Sequence, residues 1–445
     1  GRMMLTPNLA ARISATVVTG RQDFEVLPGD PMNSSTIIPE ERVQSVGAAR
    51  IEYRKGNRRL VTDLWTQQSA FAVPPRVSAD TSNIYKVVDG ETQGRLGISY
   101  DDKAGAYKWQ ARGHVHLLSR DTSNYSDAAL TTLTNLESLN GSRTGLGLLG
   151  NRELGKRWHL IASANLESDR GDAEFNAATI SKGRTTIAQS AVAAQYEQDY
   201  FDMQSSVGIA VPIGIGASPW PEFKTVFRYI PASLLELKLT TGHKGRTPTL
   251  RERHDFGFGN ATLGPEKALF GEFEAKVVPA SFLEATGRAY VRRTNGLIES
   301  QNVDGTLMFV NTGRLTIRGV DAMVEGKLVK WFSGGASWNY NEAEDTTGDS
   351  RPLDFLPKHR INTWVRAAAG QGGATLRVQY VGTQVDKNVE LPRRTLLQVS
   401  AYYRFADRYQ FTLRGENLAD HRYELRNQVP GPGRQVYASL QSEWD

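Results

Sequence analysis

Few side chains in this sequence are spaced to do chemistry. His114 and His116 stand two apart in a stretch that alternates like a strand. Alternate residues of a strand share a face, so the two imidazoles could hold a metal ion if a third ligand joined them. The plainer reading is a polar wall facing water. Glu252 and Glu266 lie close in sequence to Arg246 and Arg251, and these carboxylates are expected to pair with loop or lumen cations. There is no cysteine, which excludes disulfides and thiol catalysis. No Cys₂His₂ spacing, Gly-rich phosphate loop or H-E-x-x-H occurs. No catalytic residue or metal site is assigned, no cofactor is expected, and the expected role is binding rather than catalysis.

The elements that carry these residues are legible from composition and period. The chain has 445 residues, of which 39% are hydrophobic and 23% charged. Mean hydropathy is −0.43. No apolar run is long enough for a membrane-spanning helix, but a membrane strand needs only about 9–11 residues with alternate ones apolar. Net charge is +5, spread along the chain, which makes nucleic acid a poor partner. In 106–120, Tyr107, Trp109, Ala111, Val115 and Leu117 share one parity, and Lys108, Gln110, Arg112, His114 and His116 share the other. The same split recurs in 158–166, 409–413 and 436–444. Lipid outside and water inside demand this pattern. The inward set then holds Lys108, Arg112, His114, Arg157, Glu167, Asp321, Glu325, Arg414, Gln435, Gln441 and Glu443.

Short turns are expected near residues 55–57, 103–105, 154–156, 198–199, 231–232, 279–280, 329–330, 370–373 and 406–407. Longer polar loops are expected at 25–41, 121–142, 169–183, 243–267 and 345–353. Aromatic residues cluster beside the short turns, as in an interfacial girdle. The expected fold is all-β: one domain over residues 1–445, a transmembrane antiparallel barrel of about 20–22 strands with short periplasmic turns and longer extracellular loops.

Five motifs then appear in order. Arg246, Pro248, Leu250 and Glu252 lead to Gly259, Asn260, Leu263, Pro265 and Glu266. Asn311 and Gly313 precede Gly319 and Asp321. Pro357 and Arg360 open a later strand, followed by Asn417, Leu418, Asp420 and Tyr423. Gly433 and Arg434 open the last strand, which ends at Trp444 with Asp445 beyond it. This series resembles the barrel of the TonB-dependent outer-membrane receptors. The family usually has Glu where Asp321 stands. In barrel size the chain is nearest to the cobalamin-receptor type.

The resemblance implies a receptor and transporter for a scarce bulky nutrient (an iron chelate, cobalamin or haem), located in the outer membrane of a Gram-negative bacterium. It implies ligand contacts in an external loop, where Arg246, Arg251, His254 and Asn260 are the candidates; haem receptors place a histidine in that interval. The other motif residues are expected to shape the barrel. Implied partners are a plug domain, the TonB complex acting through that plug, lipopolysaccharide and outer-membrane lipid, and the barrel assembly machinery that reads the terminal aromatic. Neither plug nor TonB box is found in these residues, and Gly1–Leu5 is not a signal peptide, so a mature, trimmed or partial chain is expected. The alternative is a plugless barrel serving as scaffold or pore in a larger envelope assembly.

Overall fold

The computed structural model describes residues 2–24, 38–73, 85–127, 129–214, 216–254, 259–303, 306–345, 356–386, 389–406, 408–427 and 429–442. Trp444, Glu443 and most of the expected loops at 25–41 and 345–353 lie outside the described residues. Among the described residues, one antiparallel sheet of 21 strands runs from Arg2–Thr6 to Gln435–Ser442, each strand paired with its neighbours in sequence along that sheet. Three two-stranded hairpins decorate its loops.

The short turns fall where expected, at Gly56, Gly105, Gly155 and Gly370, each with positive φ. The turns after Pro231 and Pro279 sit slightly later, because the strands continue to Ala232 and Ala280. Two expected loops are instead strand. Tyr107–Tyr125 pairs with Leu133–Leu154, so 121–142 is mostly wall. Trp158–Phe175 pairs with Ala178–Gln198 around a turn at Asn176 and Ala177, so 169–183 is wall as well. The eight strands from Leu9–Phe24 to Ala178–Gln198 have 16 to 22 residues, far more than lipid needs. They stand well past the membrane on the long-loop side.

The two faces divide as lipid and water require. Outward residues are exposed and apolar: Leu146 and Leu148 are 66% and 60% exposed. The inward face carries ion pairs between neighbouring strands. Lys108 meets Glu153 at 2.7 Å, and Arg228 meets Asp202 at 2.6 Å and Glu236 at 2.9 Å; Arg414 meets Glu416 along a single strand. Arg157 departs from the expected inward row. It lies in the turn and donates to the Tyr196 hydroxyl at 3.5 Å. The girdle is continuous over several strands: Trp158 packs on Tyr196, Tyr196 on Phe201, and Phe201 on Phe227, with ring centres 4.9, 6.0 and 4.7 Å apart. Of the most deeply buried side chains, Trp220, Pro248, Leu263 and Leu391 sit among the long-loop ends, while Val61 lies near the short turn at Gly56.

Candidate ligand site at the barrel mouth

The site begins with one arginine. Arg246 ends the strand Leu235–Arg246 and lies directly across from Glu266, the first residue of Glu266–Ala280. Its guanidinium donates to Glu266 at 2.6 and 2.8 Å and to both oxygens of Glu252 at 2.8 Å. Glu266 also accepts the Ile298 N–H at 2.7 Å. Thr249 and Glu252 form a reciprocal capping box: the Glu252 N–H donates to the Thr249 hydroxyl at 3.2 Å, and the Thr249 N–H donates to the Glu252 carboxylate at 2.7 Å. This box opens a single helical turn, Leu250–His254. Burial raises the Glu252 carboxyl pKa, but the bonds from Arg246 and Thr249 outweigh it and hold the group below its usual value.

The helical turn rests on a bed of two glycines. Gly171 and Gly183 face each other across neighbouring strands on the inward side. A Cβ at Gly171 would lie 3.0 Å from Leu250, and one at Gly183 would strike the His254 ring. A methyl at either position would require the Leu250 or His254 side chain to shift. Arg253 anchors the far end by donating to the Ala261 carbonyl at 2.8 Å.

The helix and the tall wall enclose a cavity of about 650 Å³, lined among others by Lys86, His116, Arg120, Arg143, Arg251 and His254. Arg143 is held by Asp169 at 2.6 and 2.8 Å, Arg120 by Glu91 at 2.6 Å, and Lys86 by Glu137 at 3.2 Å. The buried Nε2 of His254 has no hydrogen-bond partner among the described residues. Burial and the neighbouring Arg253 lower the His254 pKa, favouring the neutral ring. A cation-rich cavity with a neutral imidazole in its wall suits a polar or anionic ligand. Among the described residues, no group of three or more His, Asp or Glu side chains is placed to hold a metal ion.

The four candidate contacts take different positions. Arg251 and His254 line the cavity. Arg246 is turned to its two carboxylates. Asn260 serves its own loop, accepting from the Thr262 N–H at 2.9 Å and donating to the Phe309 carbonyl at 2.9 Å. The remaining motif residues make internal contacts. Asn311 staples the 264 and 296 segments, accepting from the Gly264 N–H at 2.7 Å and donating to the Gly296 carbonyl at 2.8 Å. The Gly313 carbonyl accepts from the Gly296 N–H at 2.9 Å. Gly319 leaves room for the Tyr290 ring across the strand, and Asp321 accepts from Arg288 at 2.9 Å. Asn417, with positive φ, donates to the His421 and Pro432 carbonyls at 2.9 and 3.1 Å. Leu418 covers Gly415 and Tyr423 covers Gly431. The Arg434 N–H, beside Gly433, donates to Asp420 at 2.9 Å.

Sequence reasoning did not connect Arg120, Arg143, Gly171 or Gly183 to a site. Continuing the inward parity of 106–120 reaches Arg120. Gly171 and Gly183 fall in the stretch 169–183 read as loop, and Arg143 lies just past the one read as loop at 121–142, so alternation gave no signal for them.

The TonB dependent receptor-like, beta-barrel family model matches residues 41–418. No curated protein sequence matches. Among solved structures, the copper transporter OprC superposes with a TM-score of 0.81 at 12% identity, covering 98% of this chain and 76% of that one. The siderophore receptor PirA from Acinetobacter baumannii gives 0.81 at 12% identity, covering 99% and 76%. The FrpB iron transporter from Neisseria meningitidis gives 0.78 at 13% identity, covering 98% and 77%. At such identities the likeness concerns the fold alone. The family model extends over most of the sheet and the whole Arg246–Glu266 loop, and this chain belongs to the TonB-dependent receptor β-barrel family.

Proposed function

We propose that the chain forms the barrel of an outer-membrane uptake receptor for a bulky polar nutrient, with an iron chelate, cobalamin or haem as the ligand classes to test. The observation that supports this most is the helical turn seated on Gly171 and Gly183, which places Arg251 and His254 on a cation-rich cavity at the long-loop end. Arg251 and His254 touch the ligand, while Arg246 and Asn260 hold the loop that carries them. Arg120 and Arg143 are held in place by carboxylates that offset their charge, and they add oriented N–H groups to the cavity wall. Solved relatives of this fold are described as copper, siderophore and iron transporters or receptors. In this reading a plug domain completes the site and couples it to the TonB complex, which supplies the energy. The receptor catalyses no reaction.

The test is uptake by cells that lack the gene and carry it back in full length, wild type or with Arg251→Glu and His254→Ala. Labelled ferric chelates, cobalamin and haem are supplied separately. Loss of one uptake on deletion, restored by wild type and reduced by the cavity variants, supports the reading. Deletion that leaves all three uptakes unchanged removes it.

A further inference from the structure

The seat of the helical turn admits His254 in one protonation state only. Its ring packs so closely on Gly183 that a Cβ there would fall 2.0 Å from Nε2. That nitrogen is buried and has no hydrogen-bond partner among the described residues. In the ring protonated on Nδ1 alone, Nε2 is an acceptor, and leaving it unpaired costs little. A second proton turns it into a buried, charged N–H with nothing to accept it.

The surroundings offer no compensation. Arg253, the preceding residue, is 9% exposed and leaves its own Nε unpaired. Its other nitrogens reach the Thr185 hydroxyl at 3.5 Å and the Ala261 carbonyl at 2.8 Å, with no described carboxylate beside it. On the same turn Arg251 adds a cation, and Glu252 is taken by Arg246. On the strands beneath, Asp169 is taken by Arg143. Arg170 and Asp172 flank Gly171, and Lys182 and Arg184 flank Gly183, three cations to one carboxylate. Across the cavity Glu91 and Glu137 are taken by Arg120 and Lys86, and His116 is the other imidazole of the lining.

We propose that this turn is an acid-released latch: it walls the cavity while His254 is neutral and undocks when His254 takes a proton. Burial and the charge of Arg253 put the docked imidazole below the ordinary 6.5. Docking is therefore at full strength above pH 6.5 and weakens as pH falls from there towards the docked value, by about tenfold per pH unit. Glu252 stays ionised through this window, because its own value lies below 4.5. Arg251 and His254 leave the wall together, and the cavity loosens its hold on a ligand. Only that last consequence rests on the receptor reading.

The test is hydrogen exchange of residues 249–254 in the folded chain in micelles, taken relative to intrinsic rates, from about pH 7.5 to about pH 5. Heat-modifiable gel mobility verifies the barrel. Protection should fall about tenfold over that span, with adjacent strands unchanged, and His254→Phe should abolish the dependence. A second measurement covers a Phe ring that does not seat. In ring-labelled histidine spectra, the His254 signal, identified by its loss in His254→Phe, should titrate below 6.5 in the wild type and return towards 6.5 in Gly183→Ala, whose methyl displaces the ring. Constant protection down to about pH 5 overturns the proposal. So does a loss that persists in a docked His254→Phe, or a wild-type His254 that titrates at its ordinary value. Neither measurement uses a nutrient, so the latch and the uptake reading fail independently.

Discussion

Replacing Arg246 with Ala should release the external loop while leaving the barrel intact. Four charge-assisted hydrogen bonds are lost at once, two to Glu252 and two to Glu266. The two carboxylates are only 14% and 8% exposed, so truncation leaves them orphaned in a poorly hydrated corner. Breaking such a pair from one side costs about 3–5 kcal/mol when fully buried. Arg246 itself is 41% exposed, and water discounts the loss to about 2–4 kcal/mol. The cost falls on loop docking, because the strand pairing below Arg246 does not depend on it. Hydrogen exchange read by mass spectrometry should therefore show protection of residues 249–254 falling by about two orders of magnitude, with adjacent strands unchanged. Arg246→Lys keeps the charge but not the fork and should fall between. Arg246→Met combined with Glu252→Gln and Glu266→Gln should recover part of the loss, because no charge is then stranded. Unchanged protection in Arg246→Ala would refute the reasoning and leave the loop held by Asn260 and Asn311.

Three further outcomes can be checked. In a folding titration in lipid, Leu148→Arg, opposite Ala164 in the middle of the apolar band, should cost about 2–4 kcal/mol, whereas Leu160→Arg, beside the Trp158 girdle, should cost about 0–1 kcal/mol; the reverse order would refute the depth assigned to these rungs. Gly319→Ala should lower stability by about 1–3 kcal/mol in the same titration, because the new methyl meets the Tyr290 ring and lies 2.7 Å from the Tyr340 carbonyl; no loss would mean that the ring moves aside freely. Asp127 is held down to about 2, first by the Thr131 N–H and then by the Thr132 N–H. Its folded value is depressed, so its stabilisation of the 126–132 turn is full above the ordinary 3.8 and is lost as pH falls through about 2. Protection of the Thr131 and Thr132 amides, taken relative to their intrinsic exchange rates, that is already lost between pH 7 and 5 would contradict that pairing.

Within the membrane the sequence determined a great deal by itself. Lipid on one face and water on the other force a period of two, so the outward row from Tyr107 to Leu117 and the inward row from Lys108 to His116 could be read directly. Turn residues and the rings beside them marked the periplasmic rim for the same reason. Above the membrane that reading stopped. There Ser168, Arg170 and Asp172 face water outside while Asp169 and Arg143 face water inside, and no apolar row remains to reveal a strand. The stretches 121–142 and 169–183 therefore looked like loops. The motif around Arg246 and Glu266 was visible as spacing, but its geometry was not. That Gly171 meets Gly183, that both lie under a helix from the 250s, and that Arg120 and Arg143 share a cavity with His254 are consequences of strand register between residues far apart in the chain. Only the folded sheet fixes that register. Local pattern can say which way a side chain points, but tertiary structure alone decides what it meets.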